Sequence, residues 1–121
     1  MKNMSFAITT KQFIAHKKDV TRRLGWKTLK PGDHVMGIEK GQGLKKGQKV
    51  KRLGEIVILR NEPEELYEIV RRPGRDHVDS RSEMDREGFP GMSSFKFVEM
   101  FCKANRCEPT TIINRIVFEY I

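Results

Sequence analysis

Two stretches of this chain read as β-strands, and between them they decide what it can fold into. Glu55–Arg60 runs Glu-Ile-Val-Ile-Leu-Arg, a nearly continuous set of β-formers that fits a central strand covered on both faces. Thr110–Ile121 alternates, with Ile112, Asn114, Ile116, Phe118 and Tyr120 on one side. Ile113, Val117 and Ile121 fall on the other side, so this strand is partly covered on both faces too. Shorter strand patterns occur at Met4–Thr9 and His34–Glu39. Short helical segments separate the strands without regular βαβ alternation, which points to a small mixed β-barrel of the α+β class. The 121 residues suffice for one domain with a single modest core, and no internal repeat or domain boundary is visible.

The remaining elements follow from local chemistry. Thr10 offers an N-cap hydroxyl for a short helix over Lys11–His16, with Phe13 and Ile14 inward. Leu66–Val70 fits a strand or a short helix, and periodicity does not separate the two. Pro63 should interrupt the ladder of the strand before it. Arg71–Arg86 is densely charged with both signs, which favours mobility, with a short helix over Asp79–Glu87. Ser93 caps the clearest helix, Ser94–Ala104. Phe95, Val98, Phe101 and Cys102 share one face of it, and Asn105 suits the left-handed residue at its end.

Charge narrows the function. Lys and Arg number 24 against 16 Asp and Glu, a net charge of +8, and such a surplus in a small domain favours polyanions. No apolar run approaches the roughly 20 residues needed to span a bilayer, and no basic amphipathic helix suits a lipid surface. Nucleic acid is therefore the expected partner and a membrane is not. The first ten residues lack a signal-peptide pattern, so a cytoplasmic location is expected. Cys102 and Cys107 are four residues apart with no His close behind, and His16, His34 and His77 are scattered. Neither a structural metal nor another cofactor is expected.

The basic residues gather in two places. Lys17-Lys18-Asp19-Val20-Thr21-Arg22-Arg23-Leu24-Gly25-Trp26 places four cations, a hydroxyl and an aromatic within ten residues. It reads as a turn that holds an anion, or as a solvated basic turn. Trp26 anchors it in the core. Lys40–Gly54 carries four glycines, six basic residues and no acid, the composition of a long hairpin loop that tracks phosphates. Arg22, Arg23, Lys30, Lys45, Lys46, Lys49, Lys51 and Arg52 are the candidate nucleic-acid-binding residues.

Lys18-x-Val20-Thr21-Arg22-Arg23 followed by Leu29-Lys30-Pro31-Gly32-Asp33 resembles the signature of the ASCH domain, a relative of the RNA-binding PUA domain. Leu24-Gly25-Trp26 and Glu87-Gly88-Phe89-Pro90-Gly91-Met92 are similar to stretches of small phage and prophage members. The resemblance implies a PUA-like barrel and RNA binding in a basic cleft. It also implies an alternative activity, since some ASCH proteins are amidohydrolases that remove the acetyl group of N(4)-acetylcytidine with a Lys, a Thr three residues later and a distant Glu. Lys18, Thr21 and Glu87 match those catalytic positions, with Glu83 and Asp85 as neighbouring choices for the acid. A ribonuclease role, suggested for other relatives, would draw on Lys18 and Tyr67. In chemical terms, a threonine hydroxyl becomes a nucleophile when a base takes its proton. A lysine desolvated among other cations has the lowered pKa that such a base needs.

Overall fold

The computed structural model describes residues 1–77 and 79–121 of the chain. Its order is β1 (Lys2–Ser5), α1 (Thr10–Ile14), β2 (Val20–Arg23), β3 (His34–Ile38), β4 (Arg52–Glu65), α2 (Glu68–Arg71), a 3-10 turn at Arg75–His77, α3 (Glu83–Glu87), α4 (Ser94–Asn105) and β5 (Ile112–Tyr120). The strands form one curled, half-barrel sheet in the order β1-β3-β4-β5-β2. β1 runs parallel to β3, and the other three pairings are antiparallel. The expected α+β class is what the chain adopts, with the small mixed barrel realised as a half-barrel.

β5 holds the fold together because it is covered on both sides. Ile116 and Phe118 enter a core with Met4, Phe6, Phe13, Val35, Ile56 and Ile58, while Ile113 enters a second core with Leu66, Ile69, Met84, Phe97, Val98 and Phe101. Alternation along the strand thus feeds two apolar clusters from one element. α1 packs close against the sheet. A Cβ added to Gly37 would stand 2.3 Å from the Phe13 ring, so only glycine lets the helix approach so nearly.

Several local expectations change. Lys17–Trp26 is not a turn throughout, since Val20–Arg23 joins the sheet edge as β2 beside β5. β4 runs through Pro63, which lies opposite Asn114. Beyond Ile58 β4 is paired with β5 alone, and a strand with one free side tolerates a missing donor. A register shift between Ile58 and Arg60 turns Leu59 outward, as a bulge does. The Leu66–Val70 ambiguity resolves as helix α2. Thr9 rather than Thr10 precedes α1 without a side-chain cap, and the Thr10 hydroxyl donates to the Phe6 carbonyl at 2.8 Å. In α4 Ser93 Oγ caps the amide of Lys96 as expected, but the buried face is Phe97, Val98 and Phe101, Phe95 is exposed, and Cys102 is half-buried. The left-handed residue after it is Arg106, one position later than expected.

The stretch Arg71–Arg86 also departs from a solvated, mobile segment. Residue 78 lies outside the described residues, but Arg75, Glu83 and Arg86 are buried. α3 starts with a reciprocal cap between Ser82 and Asp85, a strong local start signal for a short helix.

Candidate functional site

Strand alternation sorts the basic signature into two sides. In the pairing of β2 with β5, Thr21 lies opposite Ile116 and Arg23 opposite Asn114, while Arg22 lies opposite Arg115. Residues directly opposite share a face, so Thr21 and Arg23 stand on one side of the sheet and Arg22 on the other.

Thr21 and Arg23 border a cavity of about 380 Å3 at the seam of the two cores. Lys18 and Glu87 also line it, and its apolar wall includes Phe89, Phe97, Met100, Phe101 and Trp26. Arg23 Nε donates to Thr21 Oγ1 at 3.0 Å, and its Nη2 donates to the Ser5 carbonyl at 2.6 Å. The guanidinium carbon lies 4.9 Å from the centre of the Phe6 ring, within cation–π range. Trp26 takes a left-handed φ of 62°, a conformation with a cost for a non-glycine residue and more frequent at functional sites. Its carbonyl is held by Asn61 Nδ2 at 2.8 Å.

Lys18 and Glu87 meet at the floor. Lys18 Nζ donates to the Glu87 backbone carbonyl and lies 3.5 Å from Glu87 Oε1. The loop carrying Lys18 is pinned from both sides: the Asp19 amide donates to the Arg86 carbonyl at 3.0 Å, and the Tyr120 hydroxyl donates to the Lys18 carbonyl. Gly88 makes room for this meeting. Its φ is +99°, and a Cβ there would stand 3.1 Å from Thr9 Cγ2 and 3.4 Å from Lys18 Cδ. Lys18 is 2% exposed. Burial lowers its ammonium pKa to about 8; the Glu87 charge opposes this and the Arg23 and Arg22 charges reinforce it. A substantial share of Lys18 is therefore neutral near physiological pH. Burial likewise brings Arg23 down to about 10 against the pull of Glu87, and it stays charged at neutral pH.

Arg22 overturns one expectation: its guanidinium is fully buried and cannot reach a polymer's phosphates. Its Nη1 donates to Glu87 Oε2 at 2.9 Å and its backbone amide to Glu87 Oε1 at 3.1 Å. Its Nη2 reaches Glu83 Oε1 at 2.8 Å. Glu83 is gripped from the other side by Arg115, at 2.6 Å from Nε and 3.1 Å from Nη2. Arg115 and Arg86 both bond Asp76 Oδ2 at 2.9 Å, and Arg86 continues to Asp19 at 3.0 Å. Burial alone would raise the Glu83 and Asp76 carboxyls, yet the surrounding arginines hold both below the usual carboxylate range. The three acids near α3 thereby separate: Glu83 belongs to this buried layer, Asp85 caps its own helix, and Glu87 borders the cavity. Nothing in the sequence announced the layer except Arg115, which sits at an inward position between Ile113 and Val117.

The other candidates lie elsewhere. Lys30 is exposed, and its amide donates to Asp33 Oδ2 at 2.8 Å in the turn before β3. Lys45, Lys46, Lys49 and Lys51 are exposed on the loop between β3 and β4, and Arg52 opens β4. Tyr67 lines no part of the cavity and stacks under Arg71 instead, which leaves the Lys18–Tyr67 pair unconnected. Among the described residues no group of His, Cys, Asp and Glu is placed to hold a metal ion, and no helix is long and apolar enough to cross a membrane.

No family model and no curated protein sequence matches the chain. The fold is similar to that of a solved structure, protein EF3133 from Enterococcus faecalis V583, described by family model DUF984. That similarity has a TM-score of 0.58 at 12% identity, over 94% of this chain and 70% of the other, and it establishes a shared fold.

Proposed function

We propose that the protein is an amidohydrolase acting on an N-acylated nucleobase, N(4)-acetylcytidine or a similar modified nucleoside, at Lys18, Thr21 and Glu87. One observation carries this reading: a hydroxyl, a buried lysine of lowered pKa and a carboxylate border a single cavity of small-molecule size. The ASCH-like signature supports it from the sequence side.

Neutral Lys18 takes the Thr21 hydroxyl proton as Oγ1 attacks the acyl carbonyl carbon. Arg23 Nε already donates to that oxygen, so it leaves the hydroxyl proton available to the base and stabilises the developing alkoxide. The proton passes from Lys18 by way of Glu87 to the amide nitrogen, the C–N bond breaks, and the amine departs. Water then hydrolyses the Thr21 ester and releases the acid. The apolar wall opposite supplies ring faces against which a base can lie.

The test is incubation with N(4)-acetylcytidine while acetate and cytidine are followed. The wild-type protein should release both. Thr21→Ala should lose roughly 10^4-fold in rate. No release by the wild type, or an unchanged rate in Thr21→Ala, sinks the proposal.

A second reading, nucleic-acid binding with RNA as the preferred polymer, is favoured by the exposed cations Lys30, Lys45, Lys46, Lys49, Lys51 and Arg52. It requires affinity that falls steeply with salt.

A further inference from the structure

A second cavity, of about 320 Å3, lies between the β3–β4 loop and the segment after β1. Lys40, Lys49, Lys51, Gln48 and Leu44 line it, with Glu39 as its one acid. Glu39 Oε2 lies 3.5 Å from Lys51 Nζ, so this carboxylate is already matched. Lys40 and Lys49 have no ion-pair partner among the described residues. Backbone bonds hold the walls in place: the Glu39 amide donates to the Lys51 carbonyl at 3.0 Å, and the Gln48 amide to the Lys45 carbonyl at 2.9 Å. Ala7 lines this cavity and the Thr21 cavity alike. The two are neighbours across one small side chain, and the second offers cations without a carboxylate of its own to spare.

We propose that this lysine cavity binds a phosphate of the same ligand whose base enters the Thr21 cavity, so that the substrate is a nucleotide or a nucleotide within RNA rather than a free nucleoside. The inference rests on the reading of the first cavity as a nucleobase site. Ammonium groups suit this role as mobile point charges that follow a phosphate without demanding one orientation.

The experiment measures binding by calorimetry at low salt, using the Thr21→Ala protein so that no ligand is consumed. The probes are N(4)-acetylcytidine, its 5′-monophosphate, its 3′-monophosphate and a short RNA carrying one such residue. At least one phosphorylated probe should bind about tenfold tighter than the nucleoside, with the advantage shrinking as salt rises. Which probe gains most tells a terminal phosphate from a chain phosphodiester. Lys40→Ser with Lys49→Ser should bring the ratio of phosphorylated to free ligand close to one. The charge-matched pair Lys96→Ser and Lys103→Ser on α4 should preserve it. Equal affinity for all probes, an advantage that survives the Lys40 and Lys49 changes, or the same loss in the α4 control overturns the proposal. Absence of binding by any probe overturns it together with the nucleobase reading. A phosphate advantage with no turnover by the wild type keeps the lysine cavity and removes the amidohydrolase reading alone.

Discussion

Arg22 and Arg23 are adjacent in the chain and belong to different parts of the molecule. Arg22 turns into a buried layer of alternating charges with Glu83, Arg115, Asp76 and Arg86, and it holds both oxygens of Glu87. Arg23 turns to the cavity, where its donors fix the Thr21 hydroxyl and the Ser5 carbonyl. The difference teaches that a basic motif on a strand is two motifs interleaved with period two. One serves the architecture behind the cavity, and the other faces the cavity itself. Glu87 touches both, since Arg22 orients it from behind while Lys18 meets it in front.

That contrast can be broken by substitution. Arg115→Met leaves Glu83 buried with only Arg22 beside it, and breaking a buried pair costs about 3–5 kcal/mol. The same measurement, urea unfolding, should show Arg23→Gln costing less, under about 3 kcal/mol, the range of its two hydrogen bonds together. A larger loss for Arg23→Gln than for Arg115→Met would reverse the assignment of structural and cavity-facing sides.

pH sharpens the cavity side. If neutral Lys18 is the base, kcat/KM should rise about tenfold per unit below pH 8 and level off above it, following its pKa of about 8. The stability sign agrees with burial as the cause. Between about 8 and the ordinary value of 10.5 the unfolded chain binds more protons at this lysine than the folded chain does. Lys18 therefore contributes a gain in stability as pH rises through that window, and a cost below it. A pH profile flat from 6 to 9 would remove Lys18 as the base.

The smallest effect is expected on the β3–β4 loop. Lys45→Ala and Lys46→Ala sit on an exposed segment, so unfolding should move by no more than about 0.5 kcal/mol. If these lysines meet RNA phosphates, each change should reduce the salt slope of binding by about one. A stability loss as large as that of Arg115→Met would show that the loop's cations are structural too.

Much of the fold was legible in local pattern. The alternation of Thr110–Ile121 predicted a strand partly covered on both faces, and it feeds two cores. Ser93 and the apolar spacing behind it located α4, although the buried face rotated to Phe97, Val98 and Phe101 because the second core lies on that side. The candidate site was legible only through the resemblance to the ASCH signature, which pointed to Lys18, Thr21 and Glu87; all three border one cavity. The fate of Arg22 was not legible, because a motif read as a turn carries no inside and outside until it is paired with a neighbour.

Composition and periodicity alone determined that this chain is a small mixed sheet with helical additions and an excess of cations, since apolar spacing and charge are properties of the residues themselves. Only the tertiary structure decided which cations remain for a ligand. Arg22 lies 61 positions before Glu83 and 65 before Glu87, and their pairing depends on α3 docking against β2. Burial then sets their chemistry, because a charge removed from water must be matched by another or give up its proton. Arg22 is matched, and Lys18 is left poised between its two forms.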